Sequence, residues 1–416
     1  MRYAIVLVPL LALLAAACTS GGREAQPTAT PETEAAATSA PKINVPVPTR
    51  PDAFADYPEV IAAYLSEAGG EALGPPCLAA LLDAWQMPPG DAAQPTGGER
   101  CTLGSTDTDL DAEVTVVLTA TPEGEAYAGL LLSNLVAFDL ADGRYRVAYE
   151  SASGENPHLD IFPVGIIAVE ELNGDAAGDL VYTVITCGAH TCTWTVHAVT
   201  GDGLAYRRLT PEEGIAMTTA DVLVEDRDGD GIKEIVLHGG TISSVGAGPQ
   251  RTRTEVYGWN GTTYELIETT LSDSDLLYFH ILDADLLFGE GEYGEALAAY
   301  RRALSNESLV ESMYYENERV ELSAYALFRI AVALLAGGGS ESEALAALER
   351  ATSEFSEAIN ASLAEIFREG YDASADLSAS CLAVRNYVAG NIDRFREVWE
   401  YGYANPAFDP DTLCPF

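Results

Sequence analysis

The spacing of apolar positions changes twice along the chain. Over residues 55–65 they recur every three or four places, as on one face of a helix, and residues 77–85 repeat that character after Gly74-Pro75-Pro76. The period then becomes two. Residues 113–121, 144–151, 180–186, 193–199 and 255–259 are rich in Val, Ile, Thr and Tyr, which predicts strands. Asp142-Gly143, Asp202-Gly203 and Asn260-Gly261 punctuate them as antiparallel hairpins require. From residue 273 onward Ala, Leu, Glu and Arg dominate, and four to seven helices fit before residue 403. Gly337-Gly338-Gly339 breaks two of them, with Ser340 as N-cap of the next. Strands in one block and helices in another predict an α+β multidomain chain. Its folded parts are a helical segment at 51–110, a β-rich domain at 111–272 on which that segment packs, and an all-α domain at 273–416.

Charge narrows the function classes. Among 416 residues, 64 Asp and Glu oppose 22 Lys and Arg, a formal charge of −42. A polyanion of this kind does not bind nucleic acid, whose affinity for proteins comes mainly from phosphate neutralisation. The same field opposes close approach to anionic lipid headgroups. With 48% hydrophobic residues and 20 Tyr, most of the chain can bury a core.

The first fifty residues predict a destination. Met1-Arg2, an apolar run over residues 4–14 and Ala15-Ala16-Ala17 form a signal peptide over 1–17, too short to span a membrane. Cys18 after these alanines resembles the lipobox of bacterial lipoproteins, although Ala15 stands where Leu is usual and Leu14 one place further back. The resemblance implies lipidation of Cys18 and anchoring at the extracytoplasmic face of the cell membrane; an ordinary signal peptide is the alternative. Residues 18–50, rich in Thr, Ala, Pro and Glu, read as a disordered tether. Six further cysteines fall as three local pairs, and in an exported chain the expected disulfides are Cys77–Cys101, Cys187–Cys192 and Cys381–Cys414. A metal site through His190 has no second ligand pair to complete it, so a disulfide-closed hairpin is the better reading.

The strongest chemical signal is acidic. In Asp226-Arg-Asp-Gly-Asp-Gly-Ile-Lys-Glu234, carboxylates at alternate positions of a tight loop can converge, and the glycines permit the curvature. Calcium suits such a site because it takes six to eight oxygens in flexible geometry. The expected donors are the side chains of Asp226, Asp228, Asp230 and Glu234 and the main-chain carbonyl of Ile232. Leu237 at the twelfth position and a following strand exclude an EF-hand. The loop instead resembles the FG-GAP or VCBS-type repeat of integrin-like β-propellers, in which a short calcium loop joins two strands. A second copy lies 55 residues upstream, offering Glu171, Asn173, Asp175, Ala177 and Asp179. Glu171 in its first place and Ala176 where Gly is usual predict weaker binding there. The resemblance covers residues 165–268 and implies a small open β-domain, a partial propeller with calcium at one loop or both. Solvated turns in an acidic protein are the alternative.

A second resemblance lies in the helical third. Gly291-Glu-Tyr293 opens a segment in which Ala296, Tyr300 and Ala303 share one stripe, as in the second helix of a tetratricopeptide repeat. Residues 276–288, with Ala284, supply the partner helix. Ala344, Leu348 and Ala351 with residues 324–335 form a poorer copy, 48 residues on instead of about 34. A generic helical bundle is the alternative.

The five histidines stand in no motif, and the chain contains no nucleophile elbow, zincin motif, P-loop or dinucleotide fingerprint. No catalytic residue is therefore assigned, and the expectation is a non-enzyme. Both resemblances belong to architectures used for protein contact, which implies a lipid-anchored binding or scaffold protein with a protein partner. The alternative is a cell-surface hydrolase or solute-binding lipoprotein acting on carbohydrate or cell-wall material.

Overall fold

The computed structural model describes residues 46–68, 78, 81–87, 101–103, 114–122, 129–152, 156–201, 206–312, 314 and 316–416. The signal peptide, Cys18, most of the tether, Cys77 and the Asp202-Gly203 turn lie outside these residues. Of Cys101 only its place in a strand is described.

A short turn at Phe54–Asp56 leads into α1 (Tyr57–Ala68), whose buried Tyr57, Ile61, Tyr64 and Leu65 form one stripe. The Ser66 hydroxyl accepts the Tyr145 amide at 2.8 Å, which ties the helix to the first sheet. That sheet runs β1 (Cys101–Leu103), β2 (Val114–Ala120), β3 (Leu131–Ala141), β4 (Arg144–Glu150), with β5 (His158–Asp160) also on β3. Asp142 and Gly143, both at positive φ, close the two-residue β3–β4 hairpin as their pairing predicts.

The second sheet is ordered β10 (Ile215–Thr218), β8 (Cys192–Gly201), β7 (Asp179–Cys187), β6 (Gly165–Glu170), with β9 (Tyr206–Arg208) on β8. The third is a meander of β11 (Asp221–Glu225), β12 (Glu234–Gly239), β13 (Arg253–Trp259) and β14 (Tyr264–Leu271). Every pairing between these strands is antiparallel among the described residues. One core joins the first two sheets through Leu135, Ile166, Leu180 and Tyr182, and another joins the second and third through Leu172, Val181, Ile235 and Tyr264. Sheet structure reaches back to Cys101, inside the segment read as helical, because a three-residue strand carries no legible period.

The helical half contains α2 (Leu277–Gly289), α3 (Tyr293–Ser305), α4 (Glu318–Ala336), α5 (Glu341–Glu354), α6 (Ala361–Ser374), α7 (Leu377–Gly390), α8 (Ile392–Trp399) and the single turn α9 (Pro410–Leu413). Ser340 caps α5 by accepting the Glu343 amide at 3.3 Å. Ala284, Ala296, Tyr300, Ala303, Ala344, Leu348 and Ala351 are all buried in one core. Cys187–Cys192 spans facing residues of the β7–β8 hairpin, and Cys381–Cys414 fastens the C-terminus to α7. Two of the three expected disulfides are thus present; the third lies outside the described residues.

Arg329 organises the helical core. Its Nε donates to Tyr300 Oη and stands 3.0 Å from Asp285 Oδ1, while Nη1 donates to the Thr412 and Leu413 carbonyls. The guanidinium also lies 3.7 Å from the Phe288 ring centroid. Burial raises the pKa of Asp285, against the pull of Arg329 and of the Tyr300 and Tyr325 hydroxyls. Removing one member of a buried pair leaves the other uncompensated. Arg329→Met is therefore expected to cost roughly 3–5 kcal/mol of stability, measured as a lower denaturant midpoint with an unchanged m-value.

Candidate metal centre

The two acidic loops occupy the same place in successive sheets, each joining a first strand to a second: residues 171–179 link β6 to β7, and residues 226–234 link β11 to β12. Four of their hydrogen bonds recur at matching positions, whereas the bond from the Asn173 amide to Glu171 upstream and that from the Gly231 amide to Asp226 downstream have no counterpart among the described residues. The second amide donates to the ninth carboxylate, from Leu172 to Asp179 at 2.8 Å and from Arg227 to Glu234 at 2.9 Å. The fourth amide, of Gly174 or Gly229, donates to the first carboxylate, of Glu171 or Asp226. The fifth donates to the third side chain, from Asp175 to Asn173 at 3.0 Å and from Asp230 to Asp228 at 3.1 Å. The seventh donates to the fifth, from Ala177 to Asp175 at 2.9 Å and from Ile232 to Asp230 at 2.7 Å. Asp, Asn and Glu oxygens have captured the amides that a sheet ladder would otherwise use.

This curl needs left-handed backbone at two places. The fourth position is Gly in both loops, with φ of 82° at Gly174 and 81° at Gly229. The sixth is Gly231 at 89° downstream but Ala176 at 64° upstream. The departure of Ala176 from the pattern thus leaves the fold of the loop intact and strains its backbone.

The curl brings carboxylates together. Oxygens of Asp226, Asp228 and Asp230 lie within 4.8 Å of one another, as do those of Glu171, Asp175 and Asp179. Three carboxylates at that separation can share a divalent cation, although acidic clusters of this kind are common without one. Glu234, expected among the downstream donors, is not in the group of three: it is buried and accepts the Arg227 amide. Ile232, expected to offer its carbonyl, and Ala177 are held by their amides, and Asn173 by the Asp175 amide. The downstream aspartates are exposed, whereas Asp179 is only 1% exposed. Burial raises the Asp179 carboxyl to about 6, partly offset by the Leu172 amide that its Oδ2 accepts. Asp179 Oδ1 and Asn173 Nδ2 are buried with no hydrogen-bond partner.

The two loops touch through residues that the pattern of acids did not single out. The Lys233 amide donates to the Leu172 carbonyl at 2.8 Å, and the Lys233 ammonium pairs with Glu170. Tyr264 donates its hydroxyl to the Lys233 carbonyl at 2.9 Å. Lys233 is one of two lysines in the chain, and that rarity beside an acidic loop was the available signal.

Two outcomes follow. Ala176→Gly is expected to stabilise the protein by roughly 0.5–1 kcal/mol, the strain relieved less the added freedom of the unfolded chain; thermal unfolding measures it. Asp179 binds its proton more tightly folded than unfolded, so its contribution favours the folded state below pH 4 and is lost as pH rises through about 6. In chelator, Asp179→Asn should remove that part of the pH dependence, about 2 kcal/mol, read from denaturant midpoints between pH 4 and 7.

No family model matches this chain, and neither a curated protein nor a solved structure matches it.

Proposed function

We propose that this protein is a lipid-anchored, extracytoplasmic binding or scaffold protein whose FG-GAP-like sheet half is stiffened by calcium and whose tetratricopeptide-like helical half serves contact with a protein partner. The observation that carries the calcium reading is the recurrence of four loop hydrogen bonds at matching positions, at the same place in successive sheets. Calcium would be held chiefly by Asp226, Asp228 and Asp230, and in a second, strained site by Glu171, Asp175 and Asp179. The two disulfides support an oxidising compartment. No helix among the described residues is long and apolar enough to cross a membrane.

Support for a partner comes from the junction of the two halves. Val245 stands 98% exposed at the tip of the β12–β13 loop. Tyr314 donates its hydroxyl to the Val245 carbonyl, and Tyr403, itself exposed, donates its amide to Gly246. Neighbouring exposed apolar groups of this kind mark interaction surfaces.

Calcium is expected to raise the melting temperature by several degrees, since a ligand at a hundred times its Kd stabilises the folded state by about 2.7 kcal/mol. Asp228→Ala with Asp230→Ala should remove most of the increment, and Asp175→Ala a smaller part. Absence of both calorimetric heat and a thermal shift on adding calcium would end the calcium reading.

A further inference from the structure

A cavity of about 1030 Å³ opens between the third sheet and the helices. One wall comes from the β12–β13 loop and from β13, the other from α2 and α4, and residues 404–415 close one end. The walls are held together firmly. Ala404 donates its amide to the Ala247 carbonyl at 3.1 Å, and Asn405 donates its side-chain amide to the same oxygen at 3.0 Å. Arg251 forms a two-pronged pair with Asp283 and covers the Phe279 ring. The cavity is therefore built into the fold, and its volume is at the upper end for a small-molecule site.

Its lining is mostly apolar, with Phe279, Leu282, Leu286 and Phe288 on the helical side. Leu286 is 57% exposed there and Leu271, across the gap, is also exposed, so apolar surface remains uncovered. The charges are unlike those of the chain as a whole. Arg251, Arg253 and Arg329 line the cavity with Asp285, Glu290 and Asp411, whereas acidic residues outnumber basic ones by 64 to 22 overall. Asp285 is engaged by Arg329 and two tyrosines, and Arg251 by Asp283. Arg253 differs. Its Nε donates to Glu255, but its two terminal nitrogens take no hydrogen bond among the described residues. Nη1 lies against Gly240, where an added Cβ would come to 2.3 Å from it, so the absence of a side chain at 240 makes room for the guanidinium.

We propose that this cavity binds an amphiphile with a single anionic group, the anion meeting the free face of Arg253 and the apolar body covering Leu282 and Leu286. A carboxylate or phosphate uses the donors that Arg253 leaves open, as guanidinium geometry favours. Repulsion between the anion and solvent-exposed carboxylates is largely screened beyond about 8 Å at physiological ionic strength. A cationic amphiphile would instead meet the guanidinium. The site is separate from the acidic loops and does not depend on calcium.

Calorimetric titration of the protein with decanoate below its micellar concentration, in chelator, tests this, with decyltrimethylammonium as the cationic control. Decanoate should bind and the cation should not. Arg253→Gln should weaken decanoate binding tenfold or more. Leu286→Glu, at an exposed position, should do the same with an unchanged melting temperature, and it decides the matter if the Arg253 variant unfolds. No decanoate binding, equal binding of both amphiphiles, or binding indifferent to Leu286→Glu would each overturn the proposal. Loss of a calcium effect in the separate thermal test would leave it standing.

Discussion

Each acidic loop is held in shape by its own carboxylates, and much of the sheet half depends on that. The ninth residue, Asp179 or Glu234, accepts the amide at the loop's second position and is also the first residue of the next strand. Closing the loop and setting the strand register are therefore one event. The register has a consequence at the mouth of each hairpin, where Glu170 faces Asp179 and Glu225 faces Glu234. Like charges directly opposite are unfavourable in a sheet. The Lys233–Glu170 and Arg227–Glu225 pairs relieve part of that repulsion, and a divalent cation within the loops would relieve more. The two loops also share a backbone bond through Lys233 and Leu172, so order in one is passed to the other.

The same economy of cations shapes the helical half. With 20 arginines and two lysines among 64 carboxylates, most basic side chains can find a partner nearby. Arg329 uses its position fully: it neutralises Asp285, stacks on Phe288 and holds the C-terminal carbonyls of Thr412 and Leu413. Arg385 reinforces that end by donating to Cys414, and Cys381–Cys414 adds a covalent tie. The C-terminal segment is thereby fixed over the helix pair α2–α4, which is what lets residues 404–415 close the cavity.

Much of this plan was legible in the chain. The switch from period two to period 3.6 near residue 273 separates sheets from helices, and Asp142-Gly143, Ser340 and the glycine run at 337–339 sit where their local chemistry requires. Strand β3 was not legible as such, because Leu131–Ala141 lies centrally in its sheet and is buried on both faces, which erases alternation. In the acidic loops the converging aspartates could be read from spacing. Glu234 could not be separated from them, because its burial depends on the sheet behind it. Asp179 likewise has the same spacing whether exposed or buried, and it is burial, with the nearby Asp175 and Glu171 charges, that makes its carboxyl hard to ionise.

The cavity shows most clearly what spacing along a chain leaves out. Arg253 and Leu286 are 33 residues apart and belong to halves with different periods, so no local pattern pairs them. They face one space because residues 246–247 hydrogen-bond to residues 403–405, contacts more than 150 residues apart in sequence. Gly240 gains its meaning there too: in the sequence it is one of two adjacent glycines after a strand, and in the fold it is the gap that an arginine fills. Leu271 and Leu286 are left uncovered there, although burying such side chains against the sheet would have been worth roughly 1.5–3 kcal/mol each. That the halves meet around the space, through polar backbone contacts at its edge instead of apolar packing across it, is the physical reason to regard the opening as a site.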